Sequence, residues 1–173
     1  MKTVLATAAV LMSTFGMTAV PGAAHTGSLT TEDRSAITDT VTGVGLFADL
    51  RQWERVGTLL ADEVTTDYVS VFGGEAATVT RAALLEQWRA TLGGLDATQH
   101  QITNVVVSPE GAGAIALSHV RASHWFDGRS WTLGGVYTHR LQLGPAGWQV
   151  TDMAIQRLYE EGDRGVLQAA ARS

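Results

Sequence analysis

Apolar residues recur at helical spacing early in the chain and at strand spacing later, and that change of period sets the expected architecture. Thr30 followed by Asp33 has the form of a capping box, in which each side chain satisfies a backbone N–H at the other end. Ile37, Val41, Val44 and Phe47 with Ala48 then share one face, which predicts a helix from Leu29 onward. After Asp49, the residues Trp53, Val56, Leu59 and Leu60 predict the inner stripe of a second helix. A third is expected from Thr80, with Leu84, Leu85, Trp88 and Leu92 facing inward and Gly93-Gly94 closing it. Between the second and third, Asp67-Tyr-Val-Ser-Val-Phe72 is β-branched and aromatic and ends at Gly73-Gly74, which predicts a short strand and a loop.

The runs 99–107, 114–126, 130–143 and 148–158 are strand-like and are separated by Pro109-Glu-Gly111, Asp127-Gly128 and Gly144-Pro-Ala-Gly147. These separators are hairpin signals, so consecutive strands are predicted to pair antiparallel. Helices followed by a meander make an α+β layout whose sheet must curl over the helices to cover its apolar face. Along one strand Ala116, Ser118, Val120, Ala122, His124 and Phe126 share a face by period two, opposite Leu117, His119, Arg121, Ser123 and Trp125. The first face is lined mostly by small residues, which predicts a cavity beneath it.

Composition narrows the chemistry. The chain has 173 residues, 45% of them hydrophobic, a formal charge of -5 and no Cys. Disorder is excluded, and with no basic patch nucleic acid is not an expected partner. Without Cys, proton transfer and binding fall to His, carboxylate, Tyr and Ser/Thr groups. Residues 1–24 have the layout of a signal peptide: Lys2, an uncharged run from Val4 to Val20, then Pro21-Gly22-Ala23-Ala24 before a cut. The expectation is therefore a secreted or periplasmic domain over 25–173, with no stable membrane insertion after cleavage.

The pieces Ala-Asp49-Leu-Arg-Gln-Trp53-Glu, Thr-Asp67-Tyr68, Ala-Thr-Gln-His100, Val-Arg-Ala-Ser-His124, Gly-Gly135-Val-Tyr-Thr-His139 and Gly147-Trp148 occur in an order that resembles a known family. Between about Thr31 and Asp163 the chain resembles the SnoaL-like branch of the nuclear-transport-factor-2-like superfamily, and within it the group containing scytalone dehydratase and the dehydrochlorinases. The resemblance implies a cone-shaped α+β barrel, with three N-terminal helices packed on a strongly bent, mainly antiparallel sheet around a pocket. It also implies a catalytic set: Asp49 and His100 as a proton-transfer pair, assisted by Tyr68 and His124. A Tyr that precedes the acidic residue in the dehydratase is Ala48 here, and small polar residues of a later strand correspond to Tyr137 and His139. Substrate orientation is thus expected to differ.

An imidazole exchanges protons near neutral pH, and a carboxylate on its other nitrogen fixes its tautomer. Asp49 also stands where a helix N-cap is wanted, and Tyr68 has the alternative of a plain core aromatic. The expected substrate-binding residues are Tyr137, His139, Phe126 and Val120, with no metal site and no cofactor. The partner expected is a small hydrophobic cyclic molecule. The reaction expected is dehydratase-type elimination, with isomerisation, cyclisation, epoxide opening and non-catalytic binding as alternatives. The outward strand face, with Arg121 and His119, leaves a homodimer or homotrimer open.

Overall fold

The computed structural model describes residues 28–172. The expected signal peptide, residues 1–24, lies outside the described residues. Helix α1 (Thr31–Asp49) opens with the anticipated capping box, the Thr30 hydroxyl accepting the Asp33 N–H while the Asp33 carboxylate accepts the Thr30 N–H. Its buried stripe is Ile37, Val41, Val44 and Ala48. Helix α2 (Trp53–Thr58) is shorter than its apolar spacing suggested, because Leu60 leaves it to begin strand β1 (Leu60–Asp67). A register irregularity between Leu60 and Thr65 breaks the period-two pattern of this strand, which is why it is hard to read from sequence.

The strand expected over Asp67–Phe72 is corrected. Asp67 ends β1, and Val69–Phe72 form a single helical turn, α3. The Asp67 carboxylate accepts the Val69 N–H at 3.1 Å, and the Val71 and Phe72 N–H groups turn back to the Tyr68 carbonyl. This local carboxylate-to-backbone turn overrides the extended preference of the β-branched residues. Strand β2 (Ala77–Thr80) then pairs antiparallel with β1, and Thr80 caps α4 (Arg81–Leu92) by accepting the Ala83 N–H.

Strands β3 (Ala97–Glu110), β4 (Gly113–Phe126), β5 (Arg129–Gly144) and β6 (Gly147–Gly162) form the predicted meander, and a short helix α5 (Gly165–Ala170) follows. The six strands lie in the order β2-β1-β6-β5-β4-β3, with only β1 and β6 parallel. Breaks in register at Thr103/Val106, Gly134/Gly135 and Arg140/Leu141 let the long strands bend. The sheet wraps the helices as a cone but does not close, since β2 and β3 remain as edges.

One apolar cluster joins α1, α2 and α4 to the sheet through Ile37, Val41, Val56, Leu60, Leu84, Leu141 and Val150; a second packs Val166 of α5 with Val71, Leu133 and Ile155. The parity of β4 holds: Ala116, Ser118, Val120, Ala122 and His124 are buried, whereas Leu117, His119, Arg121 and Trp125 are exposed. Ser123 is the exception, buried on the outer face with its hydroxyl 2.9 Å from that of Thr132.

Candidate active site

A cavity of about 180 Å³ lies between the inner face of the sheet and helices α1, α3, α4 and α5. That is about the space that holds one six-membered ring with small substituents. Its walls are mostly apolar, with Val41, Val44, Trp88, Ile102, Leu133 and Ile155 prominent.

Asp49 closes α1 and does not cap α2, whose N-cap is Gln52. Its carboxylate instead crosses to β3. One oxygen, Oδ2, accepts the backbone N–H of His100 at 2.7 Å; the other, Oδ1, accepts the Thr98 hydroxyl and meets His100 Nδ1, each at 2.7 Å. Both side chains of the pair are nearly buried, with exposures of 13% for Asp49 and 12% for His100. Burial by itself would raise the Asp49 carboxyl, but the His100 ring, the His100 N–H and the Thr98 hydroxyl together hold it below the ordinary value. The Asp49 contact fixes the imidazole with Nδ1 toward the carboxylate and leaves Nε2 for the cavity, which His100 lines.

Close approach of α1 to β3 makes this contact possible. Gly45, one turn before Asp49, is packed so tightly that a Cβ there would lie 2.9 Å from His100 Cβ and 3.2 Å from Ile102 Cδ1. Ala48 lines the cavity on the same helix, where a larger side chain would fill part of the hollow.

Four further sequence candidates line the cavity: Tyr68, His124, Tyr137 and His139. The Tyr68 hydroxyl donates to the Met153 thioether at 2.9 Å, a weak acceptor. Burial, reinforced by the neighbouring Tyr137, pushes its phenol well up, and burial with the charge of Asp49 pushes Tyr137 to about 12. Both hydroxyls therefore stay protonated as donors near neutral pH. His124 stacks on Trp131 with centroids 5.0 Å apart and meets the His100 ring edge-on at 5.8 Å. Burial first, and the charge of His100 second, lower His124 to about 4; burial alone lowers His139 to about 4. Both imidazoles are thus neutral, and the Nδ1 atom of each is buried without a hydrogen-bond partner.

Two expected binding residues are not at the cavity. Val120 is buried within the apolar cluster that Val166 of α5 joins, and Phe126, near the end of β4, packs against that cluster. The inner-face parity was right for both, but the cavity occupies only part of that face.

The site also uses residues not anticipated, Trp131 in the cavity wall and Thr98 as a donor to Asp49. Trp131 lies on β5 with the same parity as Leu133, Tyr137 and His139, and Thr98 lies two positions before His100 on β3, so period two carried a signal for each. Phe72 and Leu167 had none, because α3 and α5 were not foreseen. Among the described residues, no three of His, Asp and Glu come together in a way that would hold a metal ion.

A family profile described as the SnoaL-like domain matches residues 29–154. The chain belongs to this family. No protein of curated function matches the sequence. Among solved structures, a protein of Kribbella flavida is 28% identical, with a TM-score of 0.72 over 82% of this chain and 98% of its own. A scytalone dehydratase-like protein of Novosphingobium aromaticivorans is 17% identical, with a TM-score of 0.67 over 77% and 89%. A hexachlorocyclohexane dehydrochlorinase, LinA type 2, is 18% identical, with a TM-score of 0.66 over 78% and 91%. The last two share the fold with this SnoaL-like chain.

Proposed function

We propose that this protein is a lyase that eliminates water or a similar leaving group from a small hydrophobic cyclic substrate, its own side chains serving as acid and base. The observation that carries the reading is the 2.7 Å contact between Asp49 Oδ1 and His100 Nδ1 at the wall of an apolar cavity. His100 Nε2 takes a proton from the carbon adjacent to the one bearing the leaving group. The C–H pair becomes the new carbon–carbon π bond, and the leaving group departs with its own bonding pair. When that group is hydroxyl, the imidazolium returns the proton and water leaves. Asp49 steadies the ring and its transient charge, and in a carbonyl-bearing substrate Tyr68 and neutral His124 hydrogen-bond the enolate-like oxygen. The dehydratase-like and dehydrochlorinase neighbours, whose named reactions are eliminations, support this assignment.

The test uses hexachlorocyclohexane and β-hydroxycyclohexanone, whose elimination products are separated by chromatography. His100→Ala should remain folded and lose turnover by about 100-fold to 10,000-fold. Undiminished turnover in that variant would eliminate the mechanism.

A second reading, a binding module that retains an apolar molecule unchanged, draws on the bonds from Asp49 to the His100 N–H and the Thr98 hydroxyl, which also fasten α1 to β3. It predicts tight binding of cyclic ligands by the wild type with no product. Isomerisation, cyclisation or epoxide opening would use the same base and would be recognised by product identity. We also propose export, with residues 1–24 removed; a secreted protein beginning at His25 supports it, and retention of Met1 in a membrane fraction counts against it.

A further inference from the structure

Glu160 lies on β6 outside the cavity, yet its carboxylate is tied to the cavity wall. Oε2 accepts the Trp131 indole N–H at 3.2 Å and the Arg164 Nε–H at 3.1 Å, while Oε1 accepts from Arg157 Nη1 at 2.7 Å and from Arg164 Nη2. Arg164 in turn donates to the Val71 carbonyl at 2.6 Å, and its guanidinium lies 5.6 Å from the Trp131 ring centre. Trp131 is 2% exposed and lines the cavity. Its indole stacks on His124, which stands opposite it in the β4–β5 register, with the ring planes 29° apart. His124 then meets the His100 ring edge-on, the planes at 86°. These groups form one line from an ion-pair cluster near the surface to the proposed base.

Ion pairs near a surface add little to stability, so two arginines on one carboxylate need no function by themselves. The bond to the indole is of another kind. A buried indole N–H needs an acceptor, and an ionised carboxylate makes roughly twice as strong a one as a neutral oxygen. Arg164 first and Arg157 second hold the Glu160 carboxyl down to about 2, so it is ionised wherever an imidazole can act as a base. The arginines fix where the carboxylate points, and the carboxylate fixes the turn of the indole about its side-chain torsions. A turned indole would no longer match the face of the His124 ring, and the imidazole would follow it toward the hollow. His100 would then lose the ring that backs it on the cavity side.

Resting on the elimination reading, we propose that Glu160 is a positioning residue: from outside the cavity its carboxylate sets the Trp131 indole, the indole sets the His124 ring, and that ring backs the imidazole of His100. Nothing in this role requires Glu160 to touch the substrate.

The experiment compares Glu160→Gln with Glu160→Met in the full chain. Both remove the charge that Arg157 and Arg164 share, and only Gln can still accept the indole N–H. With β-hydroxycyclohexanone, Glu160→Met should lose about 10-fold to 100-fold in kcat, the scale of a reacting group displaced by about 1 Å, with KM moving less. Glu160→Gln should keep most of the rate. Trp131→Phe should lose rate to a similar degree, and adding Glu160→Met to it should cost little more, since both changes break one link. Proton NMR gives a readout that needs no turnover. The His124 Cε1–H resonance, assigned by its absence in His124→Asn, should move in Glu160→Met and stay in place in Glu160→Gln. Circular dichroism establishes that each variant is folded; if Glu160→Met is not, Trp131→Phe carries the kinetic test, and full rate there overturns the proposal. Equal turnover in Glu160→Gln and Glu160→Met overturns it too, as do losses that add in the double variant or a His124 resonance that Glu160→Met leaves unmoved. A wild type without turnover on this substrate but with the resonance shift refutes the elimination reading and leaves the positioning of His124 by Glu160 standing.

Discussion

The Asp49 carboxylate accepts three hydrogen bonds, and only one of them concerns the imidazole. Asp49→Asn therefore separates its two tasks. The amide keeps the size and can still accept from the His100 N–H or Thr98, but it no longer stabilises an imidazolium or enforces one tautomer. We expect turnover to fall by about 100-fold or more with KM little changed, and stability to fall by about 1–3 kcal/mol. Steady-state kinetics and urea unfolding measure the two separately. A loss of stability with full turnover would reduce Asp49 to a fastener between α1 and β3. Thr98→Val is the complementary change: it removes one hydroxyl from Oδ1 and leaves the ring contact, so turnover should fall by less than tenfold, the scale of about one neutral hydrogen bond.

At the level of elements, the site exists because α1 ends where it lies against β3, and Gly45 sets how near the two can come. In Gly45→Ala the new methyl would collide with His100 Cβ, an atom close to the backbone that has little room to give. The helix must move out, so the variant should lose about 1–3 kcal/mol in urea unfolding and lose turnover as well, without any reacting group having been altered. Retained turnover would show that the pair tolerates a wider spacing. This dependence also explains what was legible beforehand. The set Asp49, His100, Tyr68 and His124 came from the resemblance to the SnoaL-like family, and the long strands from hairpin signals at Asp127-Gly128 and Gly144 to Gly147. The position of Asp49 at the end of a helix could not, because Asp suits an N-cap equally well and only the tertiary partner on β3 decides. Likewise β1 was hidden by its register break, and α3 by valines that favour strands until the Asp67 carboxylate turns the chain.

For the whole molecule, the cavity leaves a hollow beside two neutral buried imidazoles, and that combination has a consequence for acid stability. His124 and His139 ionise at about 4 when folded, against an ordinary value of 6.5. Between those limits the unfolded chain binds more protons than the folded one, so the free energy of unfolding must decrease as pH falls from 6.5 toward 4. Each imidazole accounts for up to about 3 kcal/mol of that decline. Asp49 acts in a lower window: its folded carboxyl lies below the ordinary 3.8, so its contribution is present above that pH and is lost only as pH drops through the folded value. Acid weakening should therefore begin well before carboxylates titrate. Urea midpoints at pH 7.5, 5.5 and 4.5 should fall steadily in the wild type, and His139→Leu, which removes one of the two groups, should show about half that decline. A wild-type midpoint that stays level across this range would mean that the imidazoles are hydrated or already paired. In that case the cavity would be wetter than its apolar walls imply.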